Sequence, residues 1–148
     1  MSSFGGKVLV TGNATLWVTD SVAFTGGDSI EIAPGASLKL YVSAATATIG
    51  GHGVINGNGS ATSFAYYGLP TNTSLNMKAN AAFTGTVYAP QADFHLGGGG
   101  SNPYDFNGAC VVNSVKMNGH FHFHYDEALR KVSTGRYVAI SWNEVDPN

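Results

Sequence analysis

The sequence is poor in charge, in cysteine and in long apolar runs. Only 11% of its 148 residues are charged and the formal net charge is −2, with an isoelectric point near 6.1. That leaves no electrostatic case for nucleic acid or an anionic membrane surface as partner. Lys7, Lys39, Lys78, Lys116, Arg130, Lys131 and Arg136 are dispersed, with only Arg130 and Lys131 adjacent, which reads as a solvated face and not as a basic patch. The one cysteine, Cys110, excludes an internal disulfide; lying in the apolar run 109–112, it is expected to be a small buried hydrophobe and not a nucleophile. No membrane span, leader pattern or lipidation motif is read, so membrane insertion is not expected and any targeting segment belongs to a larger parent chain or has been trimmed. Asn13-Ala-Thr, Asn58-Gly-Ser and Asn72-Thr-Ser match the glycosylation triplet, but such matches arise by chance in a chain this rich in Asn, Ser and Thr.

What is present is glycine, 20 of them, among Asn, Ser, Thr, Ala and Val, a bias toward all-β structure with many tight turns. The length suits a single domain, residues 1–148, large enough to bury a core without metal or disulfide. Short alternating apolar runs recur as Val8-x-Val10, Leu16-x-Val18, Ile30-x-Ile32, Leu38-x-Leu40-x-Val42, Leu75-x-Met77, Phe94-x-Leu96 and Val115-x-Met117. Turn residues separate them, and no helical period is held before the C-terminal tail.

A longer self-similarity decides the architecture. The stretch from Gly85 to Gly97 superimposes, with one residue deleted, on the stretch from Gly108 to Asn118. Extending that register backward gives a column Trp17, Tyr41, Tyr67, Tyr88, Val111 at spacings of 24, 26, 21 and 23 residues. A second column runs Leu75/Met77, Phe94/Leu96, Val115/Met117, and a third Phe83, Phe106, Phe123. Such periods, with short strands and Gly/Asn corners, predict a parallel β-solenoid (β-helix) of about three strands per turn. An antiparallel sandwich or barrel would predict hairpin spacing and no columns aligned across whole turns.

The last strand supplies the phase. In Gly119-His-Phe-His-Phe-His-Tyr-Asp-Glu-Ala-Leu, a period of two puts His120, His122 and His124 on one face and Phe121 and Phe123 on the other, the latter expected in the core. Residues 1–125 are thus read as coil rungs. Residues 126–148 are read as a cap, with a short helix from Asp126 and an alternating strand over 137–145 that covers a flank or an end of the solenoid.

With the columns laid out, the chain resembles an uncharacterised bacterial β-helix domain found in surface, pilus-associated and secreted multidomain proteins. The matching features are the run from Ile32 to Val42, Val87-Tyr-Ala-Pro-Gln-Ala-Asp, Gly108-Ala-x-Val-x-Asn-Ser-Val, Phe123-His-Tyr-Asp-Glu-Ala-Leu and Ile140-Ser-Trp-x-Glu. The resemblance covers nearly the whole chain and implies a right-handed parallel β-helix in an extracellular or cell-surface setting; it carries no catalytic residues to transfer. Two departures stand out: the N-terminal rung is short, and His120 and His122 lie outside the matching motif.

Three constellations are candidates for function. Trp17, Tyr41, Tyr67 and Tyr88 alternate with inward positions, so they should face outward, one per turn, and with Lys39 would suit stacking and hydrogen bonding to a carbohydrate or other surface polymer. The competing reading is that the tail strand covers them, because an exposed row of this size is usually covered in a monomer. The His-x-His-x-His strand is the second. The register sets Asp105 beside His122 and Asn107 beside His124, so Asp105, His120, His122, His124 and Asp126 are candidate ligands for a divalent metal, zinc or copper, although no cofactor is required by the fold. His95 is a poor candidate, and solvated surface histidines are the plain alternative. The third is carboxylate catalysis, against which the acids are scattered and 97–105 offers only a Gly-rich excursion. The expectation is a non-catalytic module that binds a polymer, with a self-assembling unit of a surface appendage, stacking as a homo-oligomer, as the alternative.

Overall fold

The computed structural model describes residues 1–78, 81–98, 103–118 and 120–131, and among these the protein is a parallel β-solenoid of about five turns. The first turn consists of β1 (Ser3–Phe4), β2 (Lys7–Val10) and β3 (Asn13–Val18). The second is β4 (Ser21–Phe24), β5 (Ser29–Ile32) and β6 (Ser37–Val42), and the third β7 (Thr46–Ile49), β8 (Val54–Asn56) and β9 (Phe64–Gly68). β10 (Ser74–Met77) follows, then the long strands β11 (Phe83–Leu96) and β12 (Tyr104–Met117), and finally β13 (Phe121–Tyr125).

The pairings sort these strands into three walls, all parallel. Wall one stacks β1, β4, β7, β10, the second half of β11 and the second half of β12. Wall two is β2, β5 and β8 only. Wall three stacks β3, β6, β9, the first halves of β11 and β12, and β13. The prediction of three strands per turn therefore holds for the first three turns. Beyond β8, among the described residues, wall two has no further strand, and the long strands bend directly from wall three into wall one.

The bend is where the internal repeat differs from its sequence alignment. Ala89 pairs with Val112, whereas Asp93 pairs with Ser114. Three residues, Pro90, Gln91 and Ala92, thus face the single residue Asn113, a deletion of two residues and not one. Asp93 closes the shorter corner by accepting from Asn113 Nδ2 at 2.9 Å and from Ser114 Oγ at 2.6 Å.

The interior follows the alternation. Val18, Phe24, Ile30, Ile32, Leu38, Leu40, Val42 and Ile49 are buried in the first three turns, and an aromatic ladder takes over in the later ones. Phe83 stacks on Phe106 at 4.7 Å and Phe106 on Phe123 at 4.6 Å, while Phe64 meets Phe83, and Phe94 meets Phe106, edge to face. Gly85 makes room for this ladder, and Gly108 for the close approach of its own rung to that of Gly85. A Cβ on Gly85 would lie 2.8 Å from the Phe64 ring and 3.0 Å from that of Phe83, and one on Gly108, where φ is +151°, would lie 1.8 Å from the Gly85 carbonyl oxygen. Buried polar groups are paired: the Tyr66 hydroxyl donates to Asn72 Oδ1 at 3.0 Å, and Asn72 Nδ2 donates to the Ala44 carbonyl at 2.7 Å. Burial pushes the Tyr66 hydroxyl pKa far up, so it stays a neutral donor. Asn72, wholly buried, is no accessible glycosylation site.

Three expectations about burial need correcting. Phe123 holds its place in the ladder but is 46% exposed, and Phe121 is half-buried, because β13 is the last rung of its wall and nothing among the described residues stacks on it. Val115 and Met117, on the last rung of wall one, are exposed for the same reason. Cys110 is half-buried against the core, and burial pushes its thiol pKa up, in keeping with an unreactive side chain. The expected C-terminal helix begins as a five-residue 3₁₀ turn, Glu127–Lys131; the strand expected over 137–145 lies outside the described residues.

Candidate functional site

Wall three carries both of the candidate clusters on its outer face. Its register pairs Trp17 with Tyr41, Tyr41 with Tyr67, Tyr67 with Tyr88 and Tyr88 with Val111, the column read from the sequence. Inward neighbours Val18, Leu40, Tyr66 and Val87 are buried, so the pleat turns the column outward.

The four rings are not equivalent. Tyr41 and Tyr67 stack at 4.7 Å with planes 12° apart, and both are half-buried. Trp17 and Tyr88, on either side, are 61% and 52% exposed. The indole Nε1 of Trp17 donates to Ser43 Oγ at 3.0 Å, and the N-terminal amine donates to the Trp17 carbonyl at 2.6 Å, so backbone and ring are both held. Two shallow apolar depressions flank the Tyr41–Tyr67 stack. One is lined by Thr15, Trp17, Tyr41 and Leu69. The other is lined by Tyr41, Tyr67, Tyr88, Leu69, Pro70 and Pro90, among others. Lys39 is exposed on the same face two residues before Tyr41.

Leu69, Pro70 and Pro90 are additions the sequence reading missed. They sit at corners after β9 and within the bend of β11, where no strand period marks a facing. Their signal was positional: each follows an outward aromatic by two or three residues.

The second cluster lies at the opposite edge of wall three. The register sets Asp105 beside His122 and Asn107 beside His124. Asp105 Oδ1 is 3.2 Å from His124 Nε2 and 3.7 Å from His122 Nδ1. One ligand-capable atom from each of the three side chains lies within 4.8 Å of the others. The remaining two sequence candidates are placed elsewhere. His120 precedes β13, where its carbonyl accepts from the Tyr104 amide at 2.8 Å, and its ring is not in the cluster. Asp126 has both carboxylate oxygens engaged: Oδ2 accepts from the Ala61 amide and Oδ1 from the Ala128 amide, each at 2.9 Å. Those bonds hold its carboxyl below the usual carboxylate range and fasten the last turn to the third-turn corner. Asp126 is therefore a tether between the last turn and the third-turn corner.

A parallel β-solenoid whose broad wall presents a row of aromatic rings is the class of protein that these observations define. Within that class the chain belongs to the family described as Domain of unknown function (DUF7305), whose model matches residues 9–132. No curated protein and no solved structure matches it. Among the described residues no helix is long and apolar enough to cross a membrane.

Proposed function

We propose that the domain is a non-catalytic binding module that engages an extended carbohydrate, or a chemically similar surface polymer, along the outer face of wall three. The observation that carries this reading is the outward register of Trp17, Tyr41, Tyr67 and Tyr88 with its two end rings exposed. Rungs repeat at about 4.8 Å, so successive rings form a rigid ruler and not an adaptable pocket. The flanking depressions are open, shallow and apolar, which favours a flat chain lying across the face over an engulfed small molecule. Sugar rings have one apolar face and a rim of hydroxyls. Trp17 and Tyr88 supply stacking surfaces, while Thr15, Gln91 and Lys39 lie close enough along the wall to serve the rim. A secreted or cell-surface setting, and a bacterial one, go with this reading.

The test is retention of the purified domain on a panel of insoluble polysaccharides, with soluble polymers followed by calorimetry. Trp17→Ala and Tyr88→Ala should each weaken binding at least about tenfold, the loss of one stacking ring at about 1.4 kcal/mol or more, without lowering the unfolding midpoint by more than a small amount. Retention on no polymer, or retention unchanged in both variants, would reject the proposal.

A further inference from the structure

We infer that Asp105, His122 and His124 form a binding site for one divalent transition-metal ion of the zinc or copper type. The donors come from two adjacent strands fixed by five consecutive register pairs between β12 and β13, so their backbones are positioned by the sheet and not by a loop. His122 and His124, two residues apart, share the outer face, and Asp105 lies directly across from His122.

The spacing suits coordination. Donors held about 2.0–2.1 Å from a tetrahedral ion lie about 3.4 Å from one another. The carboxylate oxygen of Asp105 is 3.2 Å and 3.7 Å from the two imidazole nitrogens, on either side of that value. The two imidazole nitrogens lie within 4.8 Å of each other, and all three side chains are exposed, so rotation about their side-chain bonds can draw them onto one ion. Two imidazoles and one carboxylate form a borderline set matched to zinc or copper, whereas calcium and magnesium would call for more oxygen donors. All three side chains are exposed, which leaves the further coordination positions open to water or to a ligand on the same wall.

The cluster has no comparable structural duty. Exposed histidine–carboxylate pairs stabilise a fold very little. The Asp126 carboxylate is engaged by the Ala61 and Ala128 amides. The site is also independent of the aromatic face. Asp105 and Val111, the next outward position after Tyr88 in the aromatic column, are on one strand, about 20 Å apart at 3.3 Å per residue.

The test uses the full 148-residue chain without a polyhistidine tag, stripped with chelator and titrated with zinc sulfate or copper sulfate in calorimetry. One saturable site per chain is expected, and the melting midpoint should rise with metal concentration because an ion bound only to the folded state stabilises it. His122→Asn, His124→Asn and Asp105→Ala should each weaken binding at least about tenfold, while His95→Asn, on another wall, should bind as the parent. The copper-loaded parent should show imidazole nitrogen coupling in its electron paramagnetic resonance spectrum, a readout that does not depend on any variant folding. Absence of saturable binding, undiminished binding in the His122→Asn/His124→Asn double variant, or a copper spectrum without nitrogen coupling would each overturn the assignment.

Discussion

The first three turns and the last two solve the same packing problem in opposite ways. Early in the coil, three walls enclose a mainly aliphatic interior of Val18, Ile30, Ile32, Leu38, Leu40 and Val42, and wall three turns Trp17, Tyr41 and Tyr67 outward. Later, no strand among the described residues extends wall two, and wall three turns Phe83, Phe106 and Phe123 inward. Outside, the aromatic column gives way to Val111, and Asp105, His122 and His124 take the other edge. Flat rings stacked one rung apart fill the later interior, and Gly85 leaves the space that the Phe64 and Phe83 rings occupy. A domain built this way can bear chemically different outer surfaces on one continuous sheet.

The contrast breaks most readily at Phe106, whose ring touches Phe83, Phe94 and Phe123. Phe106→Ala should lower stability by about 3–5 kcal/mol in urea unfolding. Hydrogen exchange should quicken in β12 and β13 while the β2–β5–β8 wall stays protected, since each turn contacts only its neighbours. Uniform loosening of the whole coil would show that the two halves are one cooperative unit.

A smaller effect, about 2–4 kcal/mol, is expected for Gly108→Ala, where the new Cβ would collide with the Gly85 carbonyl in a backbone conformation that side chains avoid. Gly35→Ala, in the three-walled half, has a positive φ of +80° but open space around the added Cβ. It should cost only the conformational strain, about 1–2 kcal/mol. Equal losses at the two positions in thermal unfolding would mean that the close backbone approach of Gly108 to Gly85 adds nothing to the conformational strain.

The smallest effect belongs to the shortened corner. Ser114 and then Asn113 donate to the Asp93 carboxylate and hold its pKa below the usual carboxylate range. A carboxyl depressed in the folded state adds stability that is fully present above its unfolded pKa and is lost as pH falls through the folded value. The unfolding midpoints of the parent and Asp93→Asn should therefore differ slightly at neutral pH and converge under acid. A gap that persists or widens in acid would reject the corner's dependence on the charged form.

Much of this was legible in the residues. The column from Trp17 to Val111, the Phe83–Phe106–Phe123 ladder and the pairing of Asp105 with His122 were all read from spacing, because a parallel coil repeats its register and alternation sets the facing. The deletion in the repeat is two residues, as the lengths of the two stretches from Gly85 to Gly97 and from Gly108 to Asn118 require; its place at the corner has no period to mark it. That Asp126 binds the amide of Ala61, 65 residues away, leaves no local signal.

By itself, then, the sequence determined the coil, its phase and which side chains share a face, since these follow from repeat length and the two-residue period of a strand. The tertiary structure alone decided how the described strands divide among the walls, which of their side chains are left exposed, and that three exposed side chains converge within coordination distance. Those outcomes depend on what stacks above, below and across each rung, and contacts between distant segments leave no mark on local periodicity.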